Sequence, residues 1–220
     1  MKKEYPKQIL INNYFQCPVW TAKVPQFVNS LNKASNKYIK EAQKINKKLI
    51  SERNKKYGNK QDAGWVHHST TLLGDKNFAQ LENYIKGTSF NLLFEMGFDL
   101  KGFEVKTKEM WVQEFSKNGG GSHSLHTHWN GHISGFLFLK CSPETSLPVL
   151  EDPRPGALMN GLPQLDAGKI THATTQVHFN VVPGDMIFFP SYMPHQYPVD
   201  IGYKPFRFIH WNVQATPKNA

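Results

Sequence analysis

The histidines are the residues of this chain whose type and spacing point most directly to chemistry. Eight of the ten histidines lie between residues 123 and 210. His126 and His128 form a His-x-His pair, and side chains two positions apart on a strand lie on the same face. Neutral imidazole is a ligand for iron, zinc, copper and nickel. The pair predicts a metal site, although a lone His-x-His also occurs on surfaces and in cores.

A third histidine strengthens the metal interpretation. Residues 182–195 indicate a Pro-Gly turn, a short buried strand and then His195, which directly follows Pro194. Two ligands from one strand and a third from a later strand can meet where a β-barrel closes. The three histidines His126, His128 and His195 are therefore the candidate catalytic and metal-binding residues.

Arg207 is the charged residue that most needs an explanation. It lies in a strand rich in aromatic residues, where an unpaired charge would be costly to bury. Its planar guanidinium group matches a carboxylate in a bidentate manner. Strand alternation places Arg207 and His210 on opposite faces. Either Arg207 binds a carboxylate, or it reaches the surface at the end of its strand.

The elements that must position these residues follow from the apolar spacing. Residues 9–22 predict an edge strand that ends near Pro18, and residues 25–50 and 76–97 predict two amphipathic helices. The apolar face predicted for the first helix consists of Phe27, Leu31, Ala34, Tyr38, Ala42, Ile45 and Leu49. Short strands are predicted from residue 103 onward, at 103–107, 110–115, 133–140, 148–151, 172–181, 185–189 and 206–214.

This layout predicts an α+β fold in a single domain, residues 1–220. Residues 1–100 supply a strand and two helices that pack on a barrel, and residues 101–220 form the barrel core, either a β-sandwich or a double-stranded β-helix.

Composition and charge exclude several classes of protein. The chain is 39% hydrophobic and 20% charged, which argues against intrinsic disorder, and no apolar run approaches the length of a membrane span. Two cysteines are too few for a disulfide framework, which favours a reducing, cytoplasmic location.

The net charge of +9 arises entirely in residues 1–60, which carry +11. The lysines of helix 25–50 form either a solvated face or a surface that attracts an acidic substrate, a protein or a nucleic acid. The exposed apolar edge at residues 9–14 could pair with a second copy in a homodimer.

Taken together, these segments resemble the 2-oxoglutarate/Fe(II)-dependent oxygenases, and more narrowly a group of them common in marine bacteria and phages. The resemblance covers most of the chain and is most specific over residues 110–212. The matching elements are Met110-Trp111-Val112, His126-x-His128, residues 134–139, Asp152-Pro153-Arg154, residues 183–191, His195, Arg207 and Trp211-Asn212.

The resemblance implies a double-stranded β-helix, also described as jelly-roll or cupin-like, with Fe(II) at its mouth and 2-oxoglutarate and O₂ as cosubstrates. It implies that a C–H bond of the substrate is hydroxylated while 2-oxoglutarate loses CO₂ and becomes succinate. His195 corresponds to the distal iron ligand and Arg207 to the anchor of the second 2-oxoglutarate carboxylate. Arg154 is a further candidate for cosubstrate contact, the alternative being a structural ion pair.

One departure from the superfamily concerns the metal ligands. The usual His-x-Asp or His-x-Glu pair has no carboxylate here, since neither His126-Thr127-His128 nor the step after it contains one. Three arrangements remain open. His126, His128 and His195 form an all-histidine site; or His128 and His195 bind with water completing the sphere; or Asp152 reaches in.

Two other functions compete with the oxygenase. A cupin-like metalloprotein of another activity shares the His-x-His pair, the Pro-Gly turn and the distal histidine, although such a protein usually has a glutamate where this chain has His132, and it has no use for Arg207. A non-enzymatic phage structural or binding protein could keep a barrel scaffold and use helix 25–50 as its interface.

Overall fold

A computed structural model describes residues 10, 12–58, 64–142, 144–159 and 161–218. Its strands are β1 (Trp20–Lys23), β2 (Val66–His68), β3 (Phe103–Phe115), β4 (His123–His126), β5 (Ile133–Lys140), β6 (Val149–Glu151), β7 (Gln176–His178), β8 (Asp185–Pro190), β9 (His195–Tyr197) and β10 (Phe206–Pro217). Its helices are α1 (Val28–Tyr57), which follows a 3₁₀ turn at Pro25–Phe27, α2 (Ala79–Glu95) and the short α3 (Pro155–Leu158).

The strands form two antiparallel sheets. The larger sheet has six strands in the order β1-β8-β5-β10-β3-β2, and the smaller has four in the order β4-β9-β6-β7. Aromatic and aliphatic side chains from both sheets, such as Phe136, Phe208, Leu150 and Tyr197, pack into one buried cluster. The fold is the predicted α+β double-stranded β-helix.

A second buried cluster lies on the other face of the larger sheet. There Ile209 and Trp211 of β10 pack with Leu31 of α1 and with Leu81 and Ile85 of α2. Strand alternation explains the two clusters, because odd and even positions of β10 face opposite layers. The first hundred residues also contribute to the sheet itself, since β1 and β2 form its two edges.

Helix α1 differs from the prediction in length and in its buried face. It continues to Tyr57 and ends at Gly58, whose φ of 68° is the left-handed conformation that glycine adopts most readily. Its buried residues are Leu31, Ser35, Ile39 and Ala42, whereas Ile45 and Leu49 are exposed. The prediction that Ile45 and Leu49 pack inward is wrong, because the second half of α1 carries no buried residue beyond Ala42.

Several strand predictions are confirmed and others need correction. The strand at 133–140 is found as β5, with Gly135 at a point where a Cβ would overlap the Ile187 carbonyl oxygen and the Trp211 ring. The strands at 103–107 and 110–115 are one continuous strand, β3. The strand at 172–181 is shorter, since only Gln176–His178 pair with β6.

The predicted edge strand at 9–22 begins after Pro18 rather than ending there. Only Trp20–Lys23 pair, with β8, and residues 12–19 form no ladder. Proline lacks the N–H that a ladder requires, which is consistent with pairing starting beyond it. Residues 1–9 and 11 lie outside the described part of the chain.

Among the described helices, none combines the length and the apolar character needed to cross a lipid bilayer.

Candidate metal centre

The fold brings together the three histidines that the sequence singled out. His126 ends β4 and His195 begins β9, and the two residues are paired across these antiparallel strands. The chain leaves the sheet after His126, and the backbone N–H of His128 donates to the Ser191 carbonyl at 2.9 Å. This hydrogen bond holds His128 beside the other two, so that all three imidazoles converge at one edge of the smaller sheet.

The distances between the three rings suit a metal ion. One ligand atom from each of His126, His128 and His195 can be chosen so that all lie within 4.8 Å of one another. The Nε2 atoms of His128 and His195 are 3.3 Å apart. Metal–imidazole bonds of about 2.1 Å at octahedral or tetrahedral angles place two nitrogens about 3.0 to 3.4 Å apart. The nitrogens of His128 and His195 therefore have the spacing of two ligands of one ion, and a nitrogen of His126 lies within 4.8 Å of them.

In His126 and His195, a hydrogen bond at Nδ1 leaves Nε2 free to bind a metal ion between the three histidines. The Nδ1 atom of His126 lies 2.7 Å from the Ser124 carbonyl oxygen, and that of His195 lies 3.1 Å from the Met193 carbonyl oxygen. A carbonyl oxygen can only accept, so Nδ1 carries the proton and Nε2 keeps its lone pair. Both rings are thus held in the tautomer that ligates through Nε2.

His128 is held by a side chain instead. Its Nδ1 atom lies 3.2 Å from the Asn212 amide nitrogen, which also donates to Glu109 at 2.7 Å. The Asn212 carbonyl oxygen accepts from the Ser134 hydroxyl at 2.6 Å. Asn212 therefore connects His128 to strands β3 and β5 and holds its ring. Because an amide nitrogen can only donate, Nδ1 of His128 accepts here and Nε2 carries the proton, so a metal bound through Nε2 must displace that proton.

The site favours neutral imidazole, the form that binds metal. The pKa of His195 is lowered to about 3, mainly by burial and to a lesser extent by the neighbouring histidines. The pKa of His128 is lowered to about 4, again mainly by burial and then by the charge of His126 and His123. Because only the deprotonated nitrogen can be a ligand, protons compete with a metal at these two residues only in acid.

The three histidines open onto a cavity of about 170 Å³ inside the barrel. Its walls are His68, Trp111, Gln113, His123, His126, His128, Phe136, His195, Tyr197, Phe208 and His210. Three polar atoms in these walls are buried without a hydrogen-bond partner among the described residues: Trp111 Nε1, Tyr197 Oη and His210 Nε2. Burial raises the pKa of Tyr197 well above its ordinary value, so its hydroxyl remains a proton donor.

The structure does not bring Arg207 to this cavity, and the predicted contact with a cosubstrate carboxylate needs correction. Arg207 lies on the other face of β10, 3% exposed, where its Nε and Nη2 atoms donate to Glu114 at 2.7 and 2.6 Å. Its Nη1 atom donates to the Asn32 carbonyl oxygen and to Asn36 Oδ1 on α1. The guanidinium group is therefore occupied by partners within the protein.

The structure also separates Asp152 and Arg154 from the three histidines. Arg154 is exposed and donates to both carboxylate oxygens of Asp152, at 2.9 and 2.6 Å. Both residues line a larger cavity of about 600 Å³ that shares no lining residue with the histidine cavity. Of the three ligand arrangements left open by the sequence, the structure holds apart the residues of the one that uses Asp152, whereas His126, His128 and His195 lie close together.

Sequence reasoning missed three residues of the site. His68 stacks on Trp111 in the cavity wall, Tyr197 lines the cavity beside His195, and Asn212 holds His128. Two of these carried a readable signal, since Tyr197 lies two residues after His195 and Asn212 two residues after His210, each on the same strand face. His68 is contributed by an edge strand far away in sequence, so no local pattern indicated it.

The fold and the clustered imidazoles define a double-stranded β-helix protein with a candidate histidine metal site. Residues 109–203, which contain all three histidines, match the family described as "Putative 2OG-Fe(II) oxygenase". Over these residues the chain is similar to the 2OG-Fe(II) oxygenases, enzymes that use Fe(II) and 2-oxoglutarate. The predicted family, enzyme class and cofactors are confirmed.

Solved structures of other proteins are similar to this fold. The α-ketoglutarate-dependent carbocyclase SnoK from nogalamycin biosynthesis is 13% identical, with a TM-score of 0.54 over 90% of this chain and 81% of its own. A prolyl-4-hydroxylase from Pseudomonas putida is 11% identical, with a TM-score of 0.51 over 89% and 92%. At such low identity the likeness concerns the fold. A search of curated sequences finds no match to this chain.

Proposed function

We propose that this oxygenase binds Fe(II) through His126, His128 and His195, and that it hydroxylates a C–H bond of its substrate. In this reaction one oxygen atom of O₂ enters the substrate as a hydroxyl group. The other enters 2-oxoglutarate, which loses CO₂ and becomes succinate. When bound, the iron and 2-oxoglutarate supply the oxidising power, and the protein holds the ligands and excludes water.

The observation that carries the proposal is the convergence of three imidazoles at the mouth of the cavity, two of which keep the Nε2 lone pair free. Two of them are fixed by backbone carbonyl oxygens and the third by Asn212. The buried position of His195, which is 1% exposed, keeps that ligand neutral and shielded from water. Three protein nitrogens leave the remaining positions of an octahedral ion open to cosubstrates.

The choice between an oxygenase and another cupin-like metalloprotein rests on the family match. Arg207 was expected to favour the oxygenase by binding 2-oxoglutarate, but it lies outside the histidine cavity and gives no support to either function. Its guanidinium group ties β10 to β3 and α1 in a way that any barrel protein could use. Residues 109–203 carry the family pattern without Arg207, which lies beyond the match.

An anaerobic titration tests the proposal. Fe(II) is added to metal-free protein and 2-oxoglutarate follows, while the visible metal-to-ligand charge-transfer band of a chelated keto acid is recorded. We expect the band in the wild type and in a His178→Ala control, since His178 is an exposed histidine outside the cavity. We expect its loss in His195→Ala, and a much weaker iron affinity in both His126→Ala and His128→Ala.

The possible failures differ in meaning. A protein that binds no iron would contradict the proposed ligand set, and iron binding without a band would contradict keto-acid chelation. Full iron affinity in His126→Ala would exclude the all-histidine site and favour a site of two histidines with water.

We also propose that the protein acts in the cytoplasm. Cys17 and Cys141 are both free thiols, which agrees with a reducing compartment.

A further inference from the structure

The family resemblance assigns Arg207 to the second carboxylate of 2-oxoglutarate, but in this chain its guanidinium group binds Glu114 instead. Arg207 and Glu114 form a buried pair, with Glu114 also accepting from Lys140 at 3.0 Å. If Arg207 turned into the barrel, Glu114 would lose its guanidinium partner while remaining buried, which is strongly unfavourable. The barrel must therefore recognise that carboxylate by other means.

The wall of the histidine cavity contains no lysine or arginine. On the face of β10 that points inward, the positions adjacent to Arg207 are Phe206 and Phe208. The hydrogen-bond donors of the cavity outside the histidines are the Trp111 indole, the Gln113 amide and the Tyr197 hydroxyl. A carboxylate in this cavity would be bound by neutral donors.

Two of these donors lie one layer deeper in the barrel than the metal ligands. Tyr197 follows His195 by two residues on β9, a distance of about 6.7 Å along a strand. Gln113 is paired across the sheet with Phe208, whose ring stacks on that of Tyr197 at 4.7 Å between centroids. Gln113 and Tyr197 therefore lie at the same level, on either side of Phe208.

The depth of this layer matches the length of the cosubstrate. The two carboxyl carbons of 2-oxoglutarate are separated by four C–C bonds, which span about 5 Å when extended. With its keto acid on the metal at His195, the molecule would place its second carboxylate near the layer of Gln113 and Tyr197. The cavity of about 170 Å³ has room for a molecule of this size.

The Tyr197 hydroxyl needs such a partner. It is buried, and the described residues offer it no hydrogen bond. Buried polar groups of folded proteins are nearly always paired, and an exception calls for a ligand or a water molecule that completes the site. A carboxylate oxygen is an acceptor that would satisfy this donor.

Building on the proposed function, we propose that the second carboxylate of 2-oxoglutarate is bound by the Tyr197 hydroxyl and the Gln113 amide, and not by Arg207. This assigns the cosubstrate to a neutral subsite on the barrel interior, while Arg207 remains part of the interface with α1.

The test measures cosubstrate affinity in anaerobic, Fe(II)-loaded protein by the intensity of the charge-transfer band. Tyr197→Phe removes only the hydroxyl, and we expect it to raise the dissociation constant of 2-oxoglutarate at least tenfold with iron affinity unchanged. Gln113→Leu should act in the same direction. Arg207→Lys, which keeps a cation beside Glu114, and Tyr203→Phe, at an exposed tyrosine, should stay within twofold of the wild type.

A second ligand separates recognition of the carboxylate from a general change in the cavity. In 2-oxopentanoate a methyl group replaces the second carboxylate, so its affinity should be the same in wild type and Tyr197→Phe. Equal weakening of both acids would indicate a structural role of Tyr197 and overturn the proposal.

The proposal is also overturned by an unchanged 2-oxoglutarate affinity in Tyr197→Phe, or by a tenfold loss in Arg207→Lys with unchanged unfolding. Failure of the proposed function looks different, because the wild type itself would then show no iron binding or no band.

Discussion

At the scale of single residues, each imidazole of the site owes its orientation to the hydrogen bond on its other nitrogen. Backbone carbonyl oxygens provide this bond for His126 and His195, and their positions follow from the local turns. His128 depends on Asn212, a side chain from the middle of β10. His128 is therefore the candidate ligand whose orientation can be changed by substituting a single other side chain.

We predict that Asn212→Ala weakens Fe(II) affinity about 10- to 100-fold, the usual effect of losing a group that orients a ligand. The variant removes the hydrogen bond to His128 and leaves the three ligands in the sequence. Equilibrium metal titration checks this, with Asn91→Ala on the exposed face of α2 as the control. Wild-type affinity in a folded Asn212→Ala protein would show that His128 is oriented by packing alone.

At the scale of secondary-structure elements, a buried ion pair lies where α1 contacts the larger sheet. Arg207 of β10 donates to Glu114 of β3 and to Asn32 and Asn36 of α1, and the Asn32 amide donates to the Leu139 carbonyl oxygen at 2.9 Å. Farther along α1, the Asn46 amide donates to the Val66 carbonyl oxygen of β2 at 3.4 Å, and aliphatic and aromatic side chains fill the space between helix and sheet. The ion pair therefore helps to fix how α1 crosses the strands.

We predict that Arg207→Met lowers the free energy of unfolding by about 3 kcal/mol, the lower end of the cost of breaking a buried pair, since Lys140 still contacts Glu114. Urea denaturation at pH 7 measures it. The double variant Glu114→Met/Arg207→Met should be more stable than Arg207→Met alone, because no buried charge is left without its partner. A loss below about 1 kcal/mol in Arg207→Met would mean that the pair is not desolvated as the structure indicates.

At the scale of the whole molecule, the cluster of buried histidines makes stability depend on pH. The pKa of His195 is lowered to about 3 and those of His128 and His123 to about 4, in each case chiefly by burial. In the unfolded chain these groups take up protons near pH 6.5. Between pH 6.5 and about 4 the unfolded state therefore binds more protons, and acid favours unfolding.

We predict that metal-free protein loses stability as the pH falls from 7 to 5, at up to about 1.4 kcal/mol per pH unit for each fully buried group. Urea denaturation at several pH values checks the slope. His195→Gln should flatten it, because one titrating group is removed. A free energy of unfolding that is constant across this range would show that the histidines are solvated when no metal is bound.

The sequence by itself determined the class of fold and indicated the candidate metal ligands. Short β-rich runs bounded by proline and glycine located β5, β8 and β10, and the His-x-His pair with a later histidine indicated a barrel site. Alternation also placed Arg207 and His210 on opposite faces of β10. These features depend on local chemistry and strand geometry, which are read directly from spacing.

The tertiary structure decided what spacing could not. Alternation does not say which face of β10 points into the barrel, and only the packing of α1 and β3 shows that Arg207 faces outward toward Glu114. The same packing brings Tyr197 and Gln113 to one layer of the cavity, and Asn212 to His128. Such contacts join residues distant in sequence, and they arise when the strands of two sheets are brought into register around one core.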